Sequence, residues 1–250
     1  MKHVGMPRSR WLPAAAALMS LAACGNPDDS GERPAQPAAC NQETYDKAIL
    51  DAVEPTQADV ITGLFAINAS NTRLKWNEDR SKVLVAVWTG FNGYTTGPFL
   101  QTRDVFVTAA PQLKEFCQSV TDDSARVARI NQYLGLPPAT EADNSRRIAE
   151  MWVKPADLFR PCPDGEIDDD TCGLVFPATA TADHKTWINN YYASSYGFWQ
   201  TTRYPWTGLG NTYDWCSGGT SHVGASEYVI RKGSTVDVVG YTDRATYCAK

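Results

Sequence analysis

Histidine is scarce in this chain, three in 250 residues, and long apolar runs are missing beyond the N-terminal leader. No HExxH, no P-loop and no GxGxxG occurs, so zinc proteolysis, nucleotide triphosphate hydrolysis and nicotinamide-linked dehydrogenation have no motif to stand on. No CxxC pair occurs either, which removes zinc ribbons and thioredoxin-like redox centres. Basic charge is not in excess. Lys and Arg number 23 against 28 Asp and Glu, a formal charge of −5, and no nucleic-acid partner is expected. What the chain does have is 43% hydrophobic residues, seven cysteines and eight tryptophans. That is the composition of a folded, exported protein with a real core.

The first residues explain the export. Lys2, Arg8 and Arg10 precede a short apolar stretch with no acid in it, then small residues lead to Cys24. A basic start, a short apolar segment and a small-residue boundary make a secretory signal peptide, too short for a permanent span. Leu21-Ala22-Ala23-Cys24 resembles the lipobox of bacterial lipoproteins. The resemblance implies cleavage after residue 23, lipid on Cys24 and anchorage in the cell envelope. Gly25 rather than Asp implies sorting to the outer membrane, facing periplasm or surface. Several acyl chains anchor far more firmly than one. Residues 24–40, polar and proline-punctuated, read as a tether, and residues 41–250 as one globular domain.

Six cysteines remain: Cys40, Cys117, Cys162, Cys172, Cys216 and Cys248. An even number in an exported chain reads as disulfides, but six allow many connectivities and sequence does not choose among them. Proximity favours only Cys162–Cys172, across a short loop whose Pro163 and Gly165 permit a reversal.

Residues 41–53 carry the period of a helix with Tyr45, Ile49 and Val53 on one face. Residues 82–88 form a near-continuous β-rich apolar run, a strand buried on both faces. Residues 103–110 read as a second strand, with Pro111 opening a helix through Cys117. Residues 124–136 read as a further helix, 147–154 as a strand, and Asp183 as the cap of a helix to about residue 196. Residues 227–230 and 235–239 flank a Lys-Gly turn and read as a hairpin. The sum is an α+β fold, a single domain with a mixed β-sheet, flanking helices and disulfide-tied loops.

Three places carry candidate chemistry. The loop 164–170 packs Asp164, Glu166, Asp168 and Asp170 together, hard oxygen ligands of the kind calcium takes, although the spacing is not that of an EF-hand and a solvated acidic turn has the same letters. No other cofactor is expected. Residues 187–215 are crowded with aromatics. Pro205, Gly208 and Gly210 break any periodicity there, so Trp199, Tyr204, Trp206, Tyr213 and Trp215 read as an exposed binding surface for a glycan, a peptide or another envelope protein, with Trp187 packed inward. The third place is the segment from Glu227 to Val239. It resembles the closing hairpin of ADP-ribosyltransferase toxins, and the resemblance implies Glu227 as catalytic acid and Arg160 as its arginine partner. Ala225, where many members carry a second acid or amide, departs from that pattern. Asp214 paired with Glu227 would serve a carboxylate glycosidase, and His222 sits in a glycine-bearing loop beside both. Binding module, envelope enzyme and purely structural component are the three classes left open.

Overall fold

A computed structural model of the protein describes residues 39–249. The expected signal peptide, the expected lipidation of Cys24 and most of the expected 24–40 tether lie outside those residues. In chain order the elements are α1 (Gln42–Ala52), β1 (Val83–Thr89), β2 (Gly97–Leu100), β3 (Val105–Ala109), α2 (Ala110–Ser119), α3 (Arg126–Tyr133), β4 (Arg147–Val153), β5 (Leu158–Phe159), α4 (Ala182–Tyr196), β6 (Asn211–Tyr213), β7 (Val223–Ser226), β8 (Tyr228–Ile230), β9 (Thr235–Thr242) and α5 (Arg244–Tyr247). The expected single α+β domain forms. Its sheet has seven strands in the order β2-β9-β4-β1-β3-β8-β5, and β6 and β7 make a separate two-stranded sheet. Every strand pair among the described residues is antiparallel.

The expected hairpin between the last two strands does not form. β8 pairs with β3 and β5, whereas β9 pairs with β2 and β4. The reason is visible in the register. Gly97↔Val238, Leu100↔Thr235, Val105↔Ile230 and Val107↔Tyr228 all keep one alignment, so β2–β3 and β8–β9 are two long strands, each bent once, that run side by side. Backbone bonds bridge the bend, from Gly233 N–H to Gln101 C=O (2.8 Å) and from Gln101 N–H to Ser234 C=O (2.9 Å). The bend joins the two ends of the strand order and curls the sheet around its own core.

That core holds one face of each strand: Val83 and Val85, Val105 and Val107, Met151 and Val153, Tyr228 and Ile230, Val236 and Val238. The opposite face of β1, with Leu84, Ala86 and Trp88, packs under Leu113, Val127 and Ile130 of α2 and α3. β1 is therefore buried on both faces, as its continuous apolar run requires. A third cluster joins Tyr45 and Ile49 of α1 to Tyr213 and Trp215. Helix α4 is capped by Thr181 rather than Asp183, the Thr181 Oγ1 accepting from the His184 N–H at 3.2 Å. No helix among the described residues is long and apolar enough to cross a membrane.

All six cysteines are paired, as Cys40–Cys216, Cys117–Cys248 and Cys162–Cys172.

Candidate functional site

The site begins with a failure of pairing. β1 keeps β4 beside it along its whole length, from Val83↔Val153 to Thr89↔Arg147, but keeps β3 only at Val85↔Ala109 and Ala86↔Thr108. Past Ala86 the strands part, and a cavity of about 470 Å³ lies against Val87, Trp88 and Thr89 on one strand and residues 105–108 on the other. Its remaining wall comes from Tyr191 of α4, from Tyr204 and Trp206, from all three residues of β6, and from Glu227 in the single-residue step between β7 and β8.

Local chemistry explains each placement. The Glu227 N–H donates to the Gly210 C=O at 2.8 Å, which ties the step between β7 and β8 to the turn before β6. Gly210 has φ +78°, and a Cβ there would overlap the Arg160 side chain, so glycine is required on both counts. Tyr191 is held in an aromatic row: Trp187 stacks on it at 5.1 Å, Phe106 lies at 4.9 Å, and Trp206 meets it edge-on at 4.9 Å. Trp187 in turn donates its indole N–H to Asp104 Oδ2 at 2.8 Å.

The polar groups of the cavity are under-used. No protein group hydrogen-bonds the Glu227 carboxyl among the described residues, and burial pushes its pKa up to about 8. Burial thus favours the protonated, proton-donating form, on a side chain that keeps some contact with solvent. Burial, followed by the charge of Glu227, raises the Tyr191 phenol as well. Trp206 Nε1 and Asn211 Oδ1 are both buried without a partner. Buried polar atoms are nearly always satisfied, so an indole N–H left over in the cavity wall marks a place built to meet something else. Arg103 and Arg146 also line the cavity; Arg146 is paired with Asp143 at 2.5 Å, whereas Arg103 makes no ion pair among the described residues.

The expected site residues separate into three groups. Glu227, Tyr204, Trp206 and Tyr213 meet at the cavity. Arg160 and Asp214 do not reach it, because both are spent on internal pairs. Arg160 is wholly buried and bonds Asp169 Oδ1 (2.6 Å), Asp169 C=O (2.7 Å) and Thr171 C=O (2.8 Å). Asp214 clamps Arg129 through both oxygens, at 3.1 and 2.9 Å. His222 lines a separate, smaller concavity, its ring stacked on Tyr213 at 4.8 Å. The expected exposed aromatic surface is also redrawn. Trp199 is 61% exposed and Tyr204 38%, but Trp206, Tyr213 and Trp215 are buried, because the aperiodic segment carrying them folds inward as wall and core. In the acidic loop the carboxylates of Asp164, Glu166 and Asp169 converge within 4.8 Å of one another, while Asp168 and Asp170 stand outside that group. Asp169 is already held by Arg160, and the Asp164 charge raises the Glu166 carboxyl.

Sequence reasoning passed over Asn211, Thr108 and Arg103. Only Arg103, opening a strand, gave any signal of a functional position. Comparison with protein-family models, with curated proteins and with solved structures finds no match at any of the three. The geometry stands alone.

Proposed function

We propose that this chain is a lipid-anchored envelope protein whose folded domain takes a small ring-bearing ligand into the Glu227 cavity. The observation that carries the reading is a pair of unmet groups on one aromatic wall, the Glu227 carboxyl and the Trp206 indole N–H, neither with a protein partner among the described residues. Tyr191, Tyr204 and Trp206 supply faces and edges for a flat ring. Arg103, which lies over the Phe91 ring at 5.3 Å and makes no ion pair among the described residues, lines the same cavity and favours a ligand that also carries an anionic group, which is the chemistry of a nucleotide. Anchorage rests on the lipobox. A Cys24→Ser chain is expected to lose palmitate labelling and leave the membrane fraction, and unchanged labelling would refute it.

The binding test uses the full chain in detergent, titrated with adenosine diphosphate, adenosine and a neutral disaccharide and followed by tryptophan fluorescence. Expected is saturable binding of the diphosphate, weakened about tenfold in Arg103→Gln, a loss of about 1.4 kcal/mol, and abolished in Trp206→Ala. Binding of none of the three overturns the cavity reading. Preference for the disaccharide overturns the anionic part of it.

A second reading, catalysis, is favoured by the Glu227 carboxyl itself. A group whose pKa lies near neutrality, free of protein partners and facing a cavity, is suited to general acid–base work. The residue matched to the transferase glutamate occupies the cavity, although Arg160 does not accompany it. Hydrolytic release of nicotinamide from nicotinamide adenine dinucleotide, with water adding to the ribosyl carbon as the glycosidic bond breaks and ADP-ribose as the other product, is the expected outcome, lost in Glu227→Gln. No release by the native chain removes this reading and leaves binding.

A further inference from the structure

The smaller concavity, about 250 Å³, shares Asn211 and Tyr213 with the Glu227 cavity and is otherwise a different place. It lies between the end of α1, the turn that follows it, and the glycine-bearing loop that carries His222. No lysine or arginine lines it, and its polar wall is rich in acceptors. Tyr213 donates its hydroxyl to Asp51 Oδ2 at 2.7 Å, and no other hydrogen bond reaches that carboxylate. Asp59 Oδ2 takes both the N–H and the hydroxyl of Thr56, each at 2.7 Å, while its other oxygen accepts from no protein group among the described residues; Asp51 and Asp59 are both solvent-exposed. Those two bonds hold the Asp59 carboxyl below its ordinary range. Asn211, only 4% exposed, gives its N–H to the Thr212 C=O and keeps Oδ1 without a donor. The floor between these oxygens is apolar, with Ala52, Ile61 and Leu209.

We infer that this pocket binds an organic cation, an ammonium or guanidinium group on a short apolar stem. Two carboxylates and an unmet amide oxygen call for a ligand that brings donors and positive charge together. A guanidinium offers five N–H groups in one plane and suits several acceptors at once. Its methylenes would lie on the alanine, isoleucine and leucine surface. A metal ion fits less well. Asp51, Asp59 and His222 do not converge as one ligand set, whereas Asp164, Glu166 and Asp169 elsewhere in the chain do. An extended cation spans acceptors that a single ion cannot reach.

The test titrates the full chain in detergent with n-butylguanidinium and with its uncharged near-isostere n-butylurea, by calorimetry. Expected is saturable binding of the guanidinium, with the urea at least about fivefold weaker and a loss of about fivefold in Asp51→Asn and in Asp59→Asn, as befits partly exposed charge pairs. Thermal melting confirms that both variants are folded. Glu227→Gln is expected to leave this binding unchanged, which separates it from the other cavity. Equal binding of urea and guanidinium, no binding of either, or loss of binding in Glu227→Gln overturns the inference.

Discussion

Glu227 differs from the paired acids of this protein in what surrounds it. Asp51, Asp59, Asp169 and Asp214 each have a hydroxyl, an N–H or a guanidinium against them, while Glu227 faces tyrosine and tryptophan. Its pKa near 8 against an ordinary 4.5 makes a stability statement. Between those two pH values the folded chain holds a proton that the unfolded chain has lost. Stability must therefore fall as pH rises through that window, and above pH 8 the cost of the buried charge is fully present. Glu227→Gln removes the titration. Relative to the native chain it is expected to gain nothing near pH 4 and up to about 5 kcal/mol by pH 9, less where solvent reaches the carboxyl, read from urea unfolding at three pH values. A difference that stays flat with pH would show that the carboxyl is solvated after all. The resemblance to the transferase hairpin singled out Glu227, and could not reveal that Arg160 and Asp214, equally conspicuous as charges, would be consumed by Asp169 and Arg129. Which charge is spent is decided by neighbours distant along the chain.

Among the elements, the helices and the long strands follow local pattern closely, and the errors lie in partners. The period-3.6 face of α1 and the apolar run of β1 are properties of their own residues, so they were legible. The joining of β2 to β3 and of β8 to β9 as bent strands was not, since a Lys-Gly turn fits a hairpin reversal as well as a bend. The aromatic segment shows the same limit. Aperiodic sequence suggested an exposed surface, yet Trp215 packs edge-on against Tyr45 of α1 at 5.4 Å and donates to the Leu136 C=O at 2.9 Å. Trp199, by contrast, touches Phe198 on an exposed turn beyond α4. Trp215→Ala is expected to destabilise the fold by about 3–5 kcal/mol through lost burial and the cavity left behind. Trp199→Ala should stay within about 0.5 kcal/mol of the native chain. Equal effects in a chemical denaturation series would mean that the inward course of this segment is wrong.

At the scale of the whole molecule the disulfides decide how the domain is stapled, and only the shortest was legible, because proximity in sequence says nothing of Cys40–Cys216 or Cys117–Cys248, 176 and 131 residues apart. Cys40–Cys216 fixes the start of the folded part to the segment after β6, and Cys117–Cys248 fixes α2 to the C-terminal turn. Cys162–Cys172 closes only the acidic loop over a separation of 10. Loop-closure entropy makes these unequal: about 5 kcal/mol for the longest link against about 3 kcal/mol for the shortest, in the chain-entropy account. If Cys24 carries lipid as proposed, a native thiol assay on the exported chain is thus expected to find no free cysteine. Replacing Cys40 and Cys216 together by serine should lower the melting temperature more than replacing Cys162 and Cys172. The first pair has a second consequence. Cys40 lies just before α1, and Cys216 is followed directly by the loop that carries His222 to the smaller pocket. Breaking that link should therefore loosen the His222 loop as well as the N-terminus, seen as faster hydrogen exchange in residues 217–222, with the Glu227 cavity unaffected. Exchange that rises equally at residues 105–108, on the cavity wall, would mean that the disulfide supports the domain as a whole rather than one pocket of it.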